Sequence, residues 1–101
     1  MITLINQFFE VQQKSSQEPD MAEKLERNFN RISTIFEEAG YTINNPLGEK
    51  YSDSRTDCTA NIVGNESANM YISQVIKPVI YQELDGALTL VQKGIVIVES
   101  K

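Results

Sequence analysis

Cys58 has the most reactive type of side chain in this sequence of 101 residues, which contains one cysteine and no histidine. A thiol becomes a nucleophile or a metal ligand once it loses its proton, and this requires a base or a cation nearby. Arg55 is the only basic residue close to Cys58 in sequence. We therefore interpret Cys58 as a small, half-buried strand residue. The alternative, a thiol-dependent enzyme, predicts that Cys58→Ser abolishes activity.

The carboxylates Glu49, Asp53 and Asp57 lie in the polar segment before Cys58. Paired acids can catalyse proton transfer, and a set of acids can hold calcium, but a calcium loop also needs a central glycine and a closing bidentate acid. This segment lacks that spacing, so we interpret it as a solvated acidic loop. The five glycines lie too far apart to cradle a nucleotide. The sequence predicts no catalytic residue, no cofactor and no metal.

The charge balance favours protein partners over nucleic acid. Fourteen acidic and nine basic side chains give a net charge of −5, which repels phosphates and anionic lipid surfaces. No apolar run approaches the roughly 20 residues that span a membrane, and the first residues lack a basic start and a cleavage site. We expect an untargeted protein with no membrane segment, in the reducing cytoplasm that suits a lone cysteine.

The elements that position these residues begin with a helix over residues 20–40. Its apolar positions recur every three or four residues and form a narrow seam: Ala22, Leu25, Phe29, Ile32, Phe36 and Ala39. Such a seam packs against another helix, either of this chain or of a second copy. Asp20 is a candidate N-cap with Glu23 three residues later, and Gly40 is a candidate left-handed exit residue.

A first helix is predicted over residues 2–14, where apolar residues recur at helical spacing on a broad face. Residues 15–19 interrupt this pattern with two serines and Pro19. The two helices then form a hairpin, although Pro19 could instead kink one long helix.

After Gly40 the pattern changes to short strands. Segments rich in β-branched and aromatic residues are bounded by turn residues: 41–43, 58–63, 70–77, 79–81, 87–91 and 95–99. They predict one small, mostly antiparallel sheet, with Pro78 at an edge or a bulge. The fold class is therefore α+β. Residues 1–40 are predicted to form a helical hairpin, a dimerisation element if a second copy supplies the partner of the seam, and residues 41–101 are predicted to form a small β domain.

Residues 22–99 resemble the C-terminal half of GrpE-type nucleotide exchange factors. In that family a helix leads into a phrase with a glycine, an aromatic residue, an isoleucine and a proline, followed by Gly-Glu and a second aromatic residue. The corresponding residues here are Phe36, Gly40, Tyr41, Ile43, Pro46, Gly48, Glu49 and Tyr51. Residues 91–98 correspond to the family's closing strand. Cys58 stands where the family has a histidine, and Ala60 matches the alanine that follows it.

The resemblance implies a co-chaperone without catalysis of its own. It would bind the nucleotide-binding domain of a DnaK-type chaperone ATPase and promote ADP release by favouring the open state. It also implies a homodimer formed by the second helix, through Leu25, Phe29, Ile32 and Phe36. A partner surface on the β domain would include Gly48, Glu49, Lys77, Pro78, Ile80 and Tyr81, although Ile80 and Tyr81 could instead be core residues. The alternative is a non-enzymatic α+β adaptor module that keeps this fold and binds a different protein.

Overall fold

The computed structural model describes residues 1–65 and 69–100, and two helices followed by seven strands lie in these ranges. In chain order they are α1 (Ile2–Ser16), α2 (Pro19–Glu38), β1 (Tyr41–Asn44), β2 (Lys50–Tyr51), β3 (Cys58–Val63), β4 (Met70–Lys77), β5 (Val79–Leu84), β6 (Ala87–Gln92) and β7 (Gly94–Ser100). The predicted α+β class, with the helices first and the strands afterwards, is confirmed.

The helices α1 and α2 form a hairpin whose faces meet through aromatic side chains. The ring of Phe8 packs edge-on against Phe29 and Phe36, with centroid distances of 5.8 and 5.5 Å. Pro19 is the first residue of α2, where its missing amide hydrogen costs nothing because the first amides of a helix lack partners in any case. Pro19 therefore starts a helix and does not kink one.

The predicted ends of the second helix are half right. Gly40 adopts a φ of +92° directly after α2, which is the left-handed exit that a glycine permits. The N-cap, however, is Glu18 without a side-chain hydrogen bond, and Asp20 already lies in the first turn. The prediction of Asp20 as the cap was wrong because Pro19, with its fixed φ, can itself begin the helix. In the first turn, the negative charge of Asp20 still interacts favourably with the positive end of the helix dipole.

The strands form two sheets, so the prediction of one sheet was wrong. One sheet has the order β1-β5-β6 and is antiparallel, and the other has the order β2-β4-β7-β3, in which β3 and β7 run parallel. Pro78 lies between β4 and β5, where the chain passes from one sheet to the other. Apolar patterning identifies strands but does not say which strands pair, and it gave no signal for the two-residue β2 in a polar segment.

The helices and the strands share their core. Phe9 of α1 packs with a cluster in the four-stranded sheet that includes Ile72, Val75, Val96 and Val98. A second cluster joins Ile5, Phe36 and Ile80, and it lies between the helical hairpin and the three-stranded sheet. Neither described helix combines enough length with enough apolar content to cross a membrane.

Polar side chains also fasten α1 to the strands. Asn6 and Gln92 each donate an amide hydrogen to the other, at 2.8 and 2.9 Å. Gln92 also donates to the carbonyl oxygen of Pro78 at 2.9 Å, and Gln13 donates to the carbonyl oxygen of Val75 at 3.0 Å. The helical hairpin is thus held in one orientation on both sheets.

Candidate functional site

The most structured group of charged residues in the described chain is centred on Arg55. Its Nε and Nη2 donate to the two carboxylate oxygens of Asp57 at 2.6 and 3.2 Å, and Nη2 also donates to Oε1 of Glu49 at 2.9 Å. Nη1 donates to the carbonyl oxygen of Lys50 at 3.3 Å. A planar guanidinium can satisfy this many acceptors at once, whereas an ammonium cannot. We call Glu49, Arg55 and Asp57 the arginine clamp.

The clamp holds the segment that connects β2 with β3 in the four-stranded sheet. β2 and β3 lie at opposite edges of that sheet, and the register of the strands makes them parallel. Residues 52–57 are the whole connection between these two edge strands. At the end of this segment the amide of Gly94 donates to the carbonyl oxygen of Asp57 at 2.9 Å. Arg55 therefore ties the start of this connection to its end.

The electrostatics of the clamp are those of a stable ion pair. The hydrogen bond between Arg55 and Asp57 raises the pKa of Arg55. The same hydrogen bond lowers the pKa of Asp57 below its usual range. The side chains of Arg55 and Asp57 are only 19% and 26% exposed, so water screens this pair less than it screens a surface pair. Arg55 and Asp57 therefore both stay charged at neutral pH.

Cys58 follows the clamp but is not activated by it. Burial raises the pKa of its thiol, and the guanidinium of Arg55 is already bonded to two carboxylates. A Cβ atom added to the neighbouring Gly94 would lie 3.2 Å from the sulfur and 2.9 Å from Val79. Cys58 is thus a packed thiol that stays protonated, which fits its interpretation as a strand residue and offers no nucleophile.

The structure brings Gly48 and Glu49 to the edge of β4. The amide of Gly48 donates to the carbonyl oxygen of Ile72 at 2.8 Å. The amide of Ile72 in turn donates to the carbonyl oxygen of Glu49 at 2.9 Å. Gly48 has a φ of +83°, so a side chain at this position would be strained. The Glu49 carboxylate remains 54% exposed beside Arg55. These two residues form an accessible ledge.

The other predicted partner residues do not join that ledge. Lys77 is exposed, but it ends β4 five residues beyond Ile72, a distance of about 16 Å along a strand. Pro78 and Ile80 are fully buried, and Ile80 packs against Phe36. Their assignment to an exposed partner surface was wrong, because the chain turns inward where it changes sheets. Tyr81 is half-buried against the core.

The seam of α2 faces its own chain. Phe29 and Phe36 are 9% and 3% exposed, and Phe8 of α1 covers both rings. Leu25 and Ile32 are half-buried on the same face of the helix. The prediction that Phe29 and Phe36 form an intermolecular seam was wrong, because α1 of the same chain takes the place that was assigned to a second copy.

Sequence reasoning missed the role of Arg55, which was considered only as a base for Cys58. The available signal was an arginine two residues before an acid in a segment that has to connect two strands. Across residues 1–65 and 69–100, no group of three acidic or thiol side chains is placed to hold a metal ion. In that part of the chain, every buried side-chain nitrogen or oxygen has a hydrogen-bond partner.

Comparison with protein-family models, curated proteins and solved structures finds no match to this chain.

Proposed function

We propose that this protein is a GrpE-like co-chaperone of a DnaK-type chaperone ATPase. It would bind the nucleotide-binding domain of the ATPase and promote ADP release without catalysis of its own. It would act in the cytoplasm as a homodimer. Binding the open state of the domain more tightly than the closed state is sufficient for this activity, since differential affinity shifts the population.

The observation that carries this proposal is the junction between α2 and the β domain. Several residues of the GrpE-like motif each have a structural role in this fold that explains the residue type at that position. Gly40 makes the left-handed exit of α2, Pro46 is fully buried, and Gly48 takes a second left-handed conformation. Tyr51 packs against the core of the four-stranded sheet. A sequence phrase that is built into one continuous junction supports a common fold more strongly than isolated matches do.

The accessible ledge at Gly48 and Glu49 is the contact surface that we assign to the ATPase, together with the exposed Lys77. Glu49 presents a fixed carboxylate because Arg55 holds it at 2.9 Å. A charge that is already positioned loses little side-chain entropy on binding. The net charge of −5 suits a partner with a basic patch at this contact.

The test is the rate at which a DnaK-type chaperone ATPase releases a fluorescent ADP analogue, with and without this protein. We expect faster release with the native chain, by about 5- to 150-fold, the usual range of coupling between two sites. Glu49→Gln should weaken the effect, since it removes the charge and keeps an acceptor for Arg55. Glu23→Gln, the same change at an exposed position of α2, should leave it intact. Unchanged ADP release together with no complex would reject the proposal.

The second candidate is a non-enzymatic adaptor module that binds another protein. The burial of Pro78 and Ile80 favours it, because two of the six contacts expected for the chaperone are inside the fold. The two candidates differ in what co-purifies with the native protein. A DnaK-type ATPase supports the first, and a different stoichiometric partner in its absence supports the second.

A further inference from the structure

A cleft opens where the two sheets separate. Residues 45–49 connect β1 to β2, and residues 72–78 lie opposite them between the β2/β4 pairing and the β1/β5 pairing. Five residues on one path face seven on the other, so the two paths cannot stay paired throughout. Under α1 they leave a cleft of about 880 Å³, a size typical of a site for a small ligand.

The lining of this cleft combines an apolar base with amide side chains. Its buried members Phe9 and Val75 are apolar. Five carboxamides also line it: Gln12, Gln13, Gln17, Asn45 and Gln74. Among the described residues no acidic or basic side chain does so, although the sequence has fourteen acids and nine bases.

The absence of charge in the lining decides the charge of the ligand. A charged group that enters a cleft loses hydration, and this loss is large unless an opposite charge replaces the water. The lining offers no such charge. An uncharged ligand with hydrogen-bonding groups therefore suits it best.

Two of the carboxamides already bind backbone groups in this cleft. Nε2 of Gln13 donates to the carbonyl oxygen of Val75 at 3.0 Å. Oδ1 of Asn45 accepts from the amide of Leu47 at 3.2 Å. A carboxamide has a donor and an acceptor side by side, as a peptide chain does. The cleft thus shows both kinds of contact that a bound peptide would need.

The remaining carboxamides are available for such contacts. The side chains of Gln12, Gln17 and Gln74 make no hydrogen bond within the described part of the chain, and Gln17 and Gln74 are exposed. The α1 residues in the lining run from Phe8 to Gln17, a length of about 14 Å along a helix. This length matches about four residues of an extended chain.

We propose that this cleft binds a short, uncharged peptide segment in an extended conformation. Gln12, Gln17 and Gln74 hydrogen-bond its peptide groups, and an apolar side chain of the segment packs against Val75 and the exposed Leu47. Binding covers Leu47, which is 54% exposed in the free protein, and removes its apolar surface from water.

A sugar of similar polarity fits this cleft less well. Phe9 is only 4% exposed, and the ring of Phe8 already packs against Phe29 and Phe36. The lining therefore offers no open aromatic face on which a sugar ring could stack. The peptide site does not rest on the proposed chaperone interaction, which was assigned to Gly48, Glu49 and Lys77.

The test is a nuclear magnetic resonance titration of the isotope-labelled chain that follows the side-chain amide signals of its glutamines. The probe is a library of tetrapeptides, blocked at both ends and built from uncharged residues. At millimolar concentration it should shift the signals of Gln12, Gln17 and Gln74. The signal of Gln7, which is exposed on α1 outside the cleft, should stay in place. Maltose, an uncharged sugar, should shift none of them.

A charge placed in the cleft should change its preference. Gln74→Glu should weaken binding of the uncharged library by about 3- to 10-fold, the effect of about one lost hydrogen bond. It should also favour a second library with one lysine in each peptide, in physiological salt that screens the overall charge of the chain. Gln7→Glu, the same change outside the cleft, should bind the uncharged library as the native chain does.

Three results would overturn the proposal. They are no shift of the cleft signals with the peptides, shifts with maltose alone, and equal binding of the uncharged and lysine libraries by the native chain. ADP release, measured on the same samples without peptide, reports separately on the proposed function.

Discussion

Strands β6 and β7 follow one another along the chain with only Lys93 between them, yet their environments are opposite. Both are rich in β-branched and leucine residues, as ALTLVQ and GIVIVES show. β7 lies between β4 and β3, and its Val96 and Val98 are completely buried. β6 has a neighbour on one side and exposes most of its residues. Similar local sequences can therefore carry very different shares of the stability, depending on what lies beside them.

The largest expected effect tests whether a residue's contribution to stability depends on which sheet it belongs to or on its position within that sheet. Ile80 belongs to the same three-stranded sheet as β6 but is fully buried against Ile5 and Phe36. Ile80→Ala should lower the free energy of unfolding by about 2–5 kcal/mol, from lost burial and the cavity left behind. Urea denaturation followed by circular dichroism measures it. A loss below about 1 kcal/mol would mean that Ile80 is not the core residue that the structure shows.

The same substitution in the two strands gives the sharpest comparison. Val96→Ala should lower the free energy of unfolding by about 2 kcal/mol, because it removes two buried methyl groups from a packed core. Val91→Ala in β6, where the valine is 37% exposed, should cost less than about 0.5 kcal/mol when measured on dilute protein. Equal losses in the two variants would contradict the contrast between β6 and β7.

An effect smaller than those in the core concerns the clamp that holds the connection between β2 and β3. Arg55→Met should lower the free energy of unfolding at neutral pH by about 1–2 kcal/mol, a charged hydrogen bond discounted for partial exposure. Because Arg55 lowers the pKa of Asp57 in the folded state, this stabilisation is present above the unfolded pKa of about 3.9 and is lost as pH falls through the lower folded value.

The measurement is the free energy of unfolding of native and Arg55→Met proteins from pH 7 down to pH 2. The native curve should fall more steeply than the variant curve in acid, and the two should converge at the lowest pH. Lys14→Met removes an exposed ion pair to Glu10 at 3.2 Å and should change stability by no more than about 0.5 kcal/mol. Parallel native and Arg55→Met curves would show that Asp57 does not depend on Arg55.

Much of the fold was predictable because it depends on local preferences. The helical hairpin, the exit at Gly40 and the strand segments follow from periodicity and from residues that allow special backbone angles. The partner sites were much less predictable. Ile80 was proposed as a surface contact and is core, while Glu49 was proposed without the arginine that positions it. Burial and ion pairing depend on residues far away in sequence, and a local pattern does not contain them.

The sequence by itself determined where both helices and every strand except β2 form, that Gly40 ends the second helix, and that Cys58 has no histidine to activate it. These depend on interactions within a few residues or on composition. Only the tertiary structure decided that the seam of α2 is covered by α1, that the strands divide between two sheets, and that β7 is central while β6 is an edge. Strand pairing and helix docking join distant segments whose local patterns fit several partners equally well, so the choice is made by the packing of the whole chain.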